Sequence, residues 1–458
     1  MATGTTAGTI DADTLGKGEV RRHSSAYAWF VLFVLSLGSV ISFIDRQIIN
    51  LLVEPIKLDL GINDTQIGIL QGFSFALFYA FLALPLARLA DTGNRIRIIF
   101  LGVMCWSMAT FFCVLSGTFA TLISARLRVG VGEATLTPTA YSLIPDFFTR
   151  NRASIAISIF TGSGFVGSGI AYIIGGRLVA TLNEIGHIDL PLLGTLVPWQ
   201  MAFVCAAVPG VLLLFLLLFV REPSRREAVD VAAAAPKSAQ FSVVIAHLRA
   251  NARLFTGVFF GLTLLAAGTF AINSWTPTFL MRVYGWSPAD VGAVFGLIVV
   301  VASAGGVFAG GAIASALMRR GIVSANLLVP LVGAVLALPF AILFPLMPTA
   351  TASLSMLAPA LFLSAFPFGC GSAVLPLVSP NRIRAQVVAI YLLIANILGF
   401  TLGPTSIGIL TDYVYGRPEL IGYSMATSPA IFFVAGALLV GWAIAPYRKV
   451  ILAQADSD

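Results

Sequence analysis

Four ionisable residues stand where an apolar chain can least easily carry them. Asp45 and Arg46 are adjacent in SFIDRQIIN (42–50), directly after the uncharged run AYAWFVLFVLSLGSVI, and Arg126 and Glu133 lie in RLRVGVGE (126–133). Inside a bilayer each such charge costs at least a few kcal/mol unless it is paired. Two carboxylates and two guanidinium groups therefore call for partners or for chemistry, and the chemistry that suits them is proton and anion binding. Low dielectric makes a carboxylate hold its proton more readily, and a nearby arginine opposes this. Whether Asp45 or Glu133 is protonated then depends on whether Arg46 and Arg126 are engaged by a substrate anion. That is a means of coupling a proton to a substrate. A plain ion-pair latch between two helices is the competing reading.

The elements that must position these residues are apolar helices. The 458-residue chain is 58% hydrophobic and 10% charged, with a mean hydropathy of +0.95; soluble domains carry about 25% charged residues. Runs of about 20 residues, long enough to span, fall near 27–52, 65–90, 96–116, 119–148, 153–181, 199–221, 254–282, 287–318, 322–345, 351–379, 385–413 and 423–447. The polar stretch 222–253 divides them into two sets of six, between a tail at 1–26 without a signal-peptide apolar core and a tail at 448–458. Twenty of the 27 Lys and Arg residues fall in the tails, the linker and alternate loops on one side. By the positive-inside rule, both termini and the linker are expected in the cytoplasm, the membrane being the plasma (bacterial inner) membrane. The net charge of +7 thus belongs to membrane loops and not to a nucleic-acid surface.

Depth decides which charges can meet. Counted at about 1.5 Å per residue from Trp29, Asp45 lies about 24 Å above the inner interface. Arg126, on a descending span, lies about 20 Å above it in a core of ~30 Å. Glu133 is two turns below Arg126 on the same stripe, and Arg46, about 100° around from Asp45, is in reach of Glu133 or of a substrate. Arg128 points to another helix, and Arg177 snorkels at the outer end of its span.

The two sets of six are related. Shifted by 224 residues, LGINDTQIG (60–68) falls on YGWSPADVG (284–292); with an offset of 232, RASIAISIFTGSGFVG (152–167) falls on RAQVVAIYLLIANILG (384–399). Parallel repeats imply a substrate path between the halves near the midplane. Opposite Asp45, Arg46, Asp91 and Glu133 the second half has Thr269, Phe270, Ser315 and Ser372, and its stretches TFAINSWTPTF (269–279) and AFPFGCGSAV (365–374) are aromatic and uncharged. One wall is charged and the other apolar. An amphipathic molecule suits that pair, its anionic head on Arg46 and Arg126 and its tail along Trp275, Phe366 and Phe368, with Asn273 on the same wall. Plain helix packing is the alternative for each aromatic residue.

ARLADTGNR (87–95), PDFFTRNRASIAI (145–157) and the Gly399, Gly403, Pro404 pattern carry a resemblance to the major facilitator superfamily, over about 27–447. The first stretch has Ala87 and Thr92 where the family has glycine and a basic residue. Within the superfamily, residues 41–75, with the Asp-Arg pair, and RLRVGVGEATLTPTAYSLIPDFF (126–148), with its Gly-x-Gly-Glu-Ala core, resemble the Spinster family. The resemblance implies an all-α membrane protein of twelve transmembrane helices in two pseudo-symmetric six-helix halves, working by alternating access. It also implies lysophospholipid or sphingosine-type substrates, and a gating charge relay at Asp91 and Arg95, with Asp146, Arg150 and Arg152 at the same seam. A proton-coupled transporter of small organic anions or drugs is the second expectation, and a non-transporting sensor or scaffold the third. No phosphate-binding loop or hydrolytic triad is present in the sequence, and His23, His187 and His247 are scattered. No enzyme activity, cofactor or metal is expected, Cys105, Cys113, Cys205 and Cys370 are read as packing residues, and the expected partners are the substrate, protons and membrane lipids, with the protein a monomer.

Overall fold

The structure, a computed structural model, describes residues 25–190, 194–223, 241–380 and 382–455. Twelve helical spans follow one another. The first six are α1 (Ser25–Gln47), α2 (Asp64–Gln71, then Phe73–Thr92), α3 (Arg95–Phe112), α4 (Phe119–Glu133, then Leu136–Phe147), α5 (Arg150–Ile185) and α6 (Pro198–Leu217). The second six are α7 (Ala252–Tyr284), α8 (Pro288–Ile298, then Ala304–Arg319), α9 (Ala325–Leu343), α10 (Ala350–Ser364, with shorter turns to Val378), α11 (Arg384–Ile394, then Phe400–Ile409) and α12 (Ile421–Ala455). Among the described residues, eleven of them are long and apolar enough to cross a bilayer. The other is α4, interrupted between Glu133 and Leu136.

The chain marks these boundaries with caps. Asn63, Asn94, Thr118, Ser287 and Thr349 each accept a backbone N–H of the first turn of the helix they precede, which satisfies donors that a helix start leaves open. Gly285 ends α7 in the left-handed conformation that glycine adopts without penalty. A short hairpin, Ile188–Leu190 against Gly194–Leu196, joins α5 to α6. With an even number of spans, α1 begins and α12 ends on the same face, here called the terminal face.

Packing between the halves lies on the far side from that face. There α5 meets α8 and α2 meets α11. A Cβ added at Gly176 of α5 would lie 2.8 Å from Gly292 Cα of α8 and 2.3 Å from the Pro288 carbonyl oxygen, so only glycine permits this approach. One apolar core runs across this seam, from Ile48 and Val53 to Trp275 and Phe279. A separate core with Val31, Trp106 and Phe147 fills the terminal side of the first half alone.

Candidate functional site

The four charges form two pairs between α1 and α4. Arg126 Nη1 donates to the Asp45 backbone carbonyl (3.1 Å) and to Asp45 Oδ1 (3.3 Å). Thr110 of α3 donates its hydroxyl to Asp45 Oδ2. Arg46 donates to Glu133 Oε2 through Nε at 2.8 Å and reaches it with Nη2 at 2.7 Å, and Ser42 donates to the same oxygen at 2.8 Å. Side chains on a helix lean toward its N-terminus, so Arg46 on rising α1 reaches toward the terminal face, where Glu133 sits two turns along descending α4. Asp45, Arg126 and Glu133 are 1–2% exposed. Removing one partner of such a pair leaves an uncompensated buried charge, at about 3–5 kcal/mol.

The pairs are unequal. Asp45 has a donor on each carboxylate oxygen. Glu133 concentrates its donors on Oε2, and its Oε1 is buried with no hydrogen-bond partner among the described residues. Arg46 is half-open: its side chain is 16% exposed, with the guanidinium 4.9 Å from the Phe43 ring centre and 5.4 Å from that of Tyr79.

Beside Arg46 lies a cavity of about 240 Å³ between the halves. The first half lines it with Phe43, Arg46, Gln47, Asn50, Gln71, Phe165 and Ser168, the second with Thr269, Phe270, Asn273, Ser274, Ser303, Phe368 and Phe400 among others, so that among the described residues the only ionised side chain on it is Arg46 of the first half. Phe270 stacks on Phe400 with ring centres 4.1 Å apart and an interplanar angle of 15°, and Phe368 is 5.8 Å away. Hydrogen bonds across the seam roof this cavity. Pro277 has no N–H, so the Asn273 carbonyl four residues earlier loses its helical donor; the Tyr172 hydroxyl donates to it instead at 3.0 Å. Asn50 Nδ2 in turn donates to Tyr172 (2.9 Å). Gln71 Nε2 donates to the Ser274 carbonyl at 3.3 Å. The next residue, Gly72, sits where an added Cβ would be 2.0 Å from the Phe400 carbonyl oxygen.

Of the residues singled out in the sequence, Arg46, Asn273 and Phe368 line the cavity. Of the two arginines expected to hold an anion, Arg46 lines the cavity and Arg126 does not. Arg126 is buried behind Asp45 and saturates it, so it does not face the cavity. Trp275 is fully buried and ties α7 to α11 by donating its indole N–H to the Pro404 carbonyl (2.8 Å). Phe366 is buried within the second half, against Gly310 and Gly333. On the terminal face Arg95 pairs with Asp146 (2.6 Å) and Glu222 (2.7 Å), all within the first half. Arg152 is exposed, and the side chains of Asp91 and Arg150 lie outside the described residues.

The sequence reading missed an ionic latch on the far side. Arg282 of α7 pairs with Glu54 (2.5 Å) and Asp64 (2.8 Å), and Lys57 holds the other Asp64 oxygen (2.5 Å). Asp412 of α11 accepts from the Thr65 N–H and hydroxyl, both at 2.6 Å. Lys57, Arg282 and Arg417 are the three basic residues that fall in the loops of that face or at their edge, against twenty on the other. Such scarcity was a signal that Lys57 and Arg282 have specific partners.

The sequence profile of the Major Facilitator Superfamily matches residues 35–404. An MFS-type efflux pump of Mycolicibacterium smegmatis (strain ATCC 700084 / mc(2)155) is 27% identical over 456 residues, covering 95% of this chain and 96% of that one. The mouse sphingosine-1-phosphate transporter is 26% identical over 254 residues, 54% of this chain and 43% of that protein. The crystal structure of a bacterial homologue of the human lysosomal transporter Spinster, inward-facing and unoccupied, superposes with a TM-score of 0.75 at 28% identity, over 94% of this chain and 98% of that one. The Spinster likeness of helices 1 and 4 thus extends over the whole fold.

Proposed function

The chain belongs to the major facilitator superfamily and is a membrane transporter, not an enzyme, and on that premise we propose that it moves an amphipathic, lipid-like substrate by alternating access, coupled to protons. The observation that carries this reading is the Glu133 carboxylate, with no partner among the described residues on one oxygen and on the other Arg46, which lines a cavity whose second-half side, among those residues, has no ionised side chain. A proton arriving at Oε1 removes the charge that holds Arg46. The guanidinium, kept beside the cavity by Phe43 and Tyr79, then turns to the substrate's anionic group. Loss of the proton restores the pair and expels the anion. Asp45 is the second candidate proton site, placed after Glu133 because both its oxygens already accept. Arg95, Asp146, Arg150, Arg152 and Asp91 form the gate on the terminal face, which the Lys and Arg distribution places in the cytoplasm of a plasma or bacterial inner membrane. The contacts across the far seam support reading the state described here as closed on that side. One chain encloses the cavity, which supports a monomer.

The lipid-like substrate, of lysophospholipid or sphingosine type, is supported by the contrast of the walls and by the named substrate of the mouse relative. A second reading, transport of a small organic anion or drug, is favoured by size: about 240 Å³ is below the usual ligand pocket of ~300–1,000 Å³. A lipid would lodge its head here and leave most of its tail outside. Uptake of a lysophospholipid chain-length series into proteoliposomes under an imposed pH gradient separates the two. The lipid reading expects affinity to rise by about 0.8 kcal/mol per buried methylene, and Glu133→Gln to bind substrate but to lose its response to the gradient. A flat series would leave the small-anion reading; an intact response in Glu133→Gln would remove Glu133 as the coupling site.

A further inference from the structure

Gln71 reaches the cavity at the break between the two segments of α2, where Gly72 presses against α11. Its amide orientation is set by chemistry. The Ser274 carbonyl can only accept, so the Gln71 amide nitrogen must face it (3.3 Å), and the amide oxygen must face away. That oxygen is buried and has no donor among the described residues. Ser303, on the second half's side of the same cavity, is 7% exposed, and its hydroxyl likewise has no partner among the described residues. Burying an acceptor unpaired is unfavourable enough that native structures nearly always supply a donor. Protein groups take up the other polar side chains of the roof: Asn50 donates to Gln47 and Tyr172, and Asn273 Nδ2 donates to the Thr269 carbonyl. Arg46 and Gln71 thus line the same cavity, one a cation and the other carrying a buried acceptor without a donor among the described residues.

We propose that Gln71 is a specificity-determining residue, whose amide oxygen receives a hydrogen-bond donor, an ammonium N–H or a hydroxyl, carried by the substrate's head beside its anionic group. This rests on the amphiphile reading above and adds a selection to it: heads with both an anion and an N–H or O–H donor are preferred over heads whose nitrogen is fully methylated. Because Gln71 also donates across the seam to Ser274, a donor bound at Gln71 sits at the joint that must open on the far side.

The test uses the full-length protein in nanodiscs and two probes, dodecylphosphoethanolamine and dodecylphosphocholine, below their micelle-forming concentrations. They share chain and phosphate and differ in whether the nitrogen bears N–H donors or methyl groups. The wild type should bind the ethanolamine probe about tenfold or more tightly, the effect of one hydrogen bond to a charged donor. Gln71→Met, similar in length and without an acceptor, should reduce that ratio to near one, largely by weakening the ethanolamine probe. Loss of seam packing alone would weaken both probes together and keep the ratio, which would overturn the proposal. Equal binding by the wild type would also overturn it, leave the amphiphile reading intact, and need no variant to fold. Binding of neither probe would overturn the amphiphile reading and this proposal with it.

Discussion

The two halves share one scaffold and divide the work. In the first half, α1, α3 and α4 enclose two carboxylates and two arginines. At the aligned positions of the second half, Thr269 donates its hydroxyl to the Leu265 carbonyl of its own helix (3.1 Å) and lies 3.2 Å from the Ser364 carbonyl, while Phe270 stacks on Phe400. The first half brings the Arg46 cation to the cavity; the second, among the described residues, lines it without ionised side chains. The second half contributes backbone instead. Pro277 frees the Asn273 carbonyl, which the first half meets with the Tyr172 hydroxyl, and the Phe400 backbone lies against the bare Cα of Gly72.

Breaking the charged side should have the largest effect. Arg126→Met leaves Asp45 buried without its cation and should cost about 3–5 kcal/mol, read as a fall in the thermal unfolding midpoint of the purified protein. Adding Asp45→Asn should recover much of it. The aligned substitution Thr269→Val removes only a neutral hydrogen bond and should cost about 0.5–1.5 kcal/mol; equal losses at the two positions would refute the asymmetry.

The far-side latch is where the halves exchange charge, and Asp64→Asn should weaken its hold on both Arg282 and Lys57. With hydrogen bonds to charged groups worth about 1.5–3 kcal/mol, the population open on that side should rise about tenfold or more. Labelling of a cysteine engineered at Asn50, in a background without the native cysteines, reports it. Unchanged labelling would assign the closure to packing at glycines such as Gly176 and Gly292. A smaller shift in the same direction, about 0.5–1.5 kcal/mol, is expected from Tyr172→Phe, which leaves the Asn273 carbonyl without its donor. Smallest is Phe270→Ala, which removes an aromatic pair worth about 0.5–1.5 kcal/mol beyond its area. It should weaken long-chain amphiphiles more than short ones and leave the pH response unchanged; a changed pH response would mean that the uncharged wall takes part in coupling.

Much of this protein is readable from its sequence, because the bilayer makes local signals decisive. Apolar runs of spanning length become helices, and their interruptions become loops. A charge inside a span must find a partner at its own depth, so Asp45 and Arg126 could be matched by counting residues along α1 and α4. Tertiary structure alone decided the rest. Whether Arg46 would face Glu133 or the cavity depended on how α1 is rotated against α4, and it does both. Depth could not show that Arg126 lies behind Asp45, nor that Trp275 and Phe366 turn into the second half's packing, since depth leaves rotation about the helix axis open. The latch of Arg282 with Glu54 and Asp64 joins residues 228 and 218 positions apart, and it exists only because the halves are closed on that side. A sequence has no term for which of two faces is closed. The bare oxygens of Glu133 and Gln71 belong to the same class: a donor is missing only with respect to everything packed around it, and that is known once every neighbour is in place.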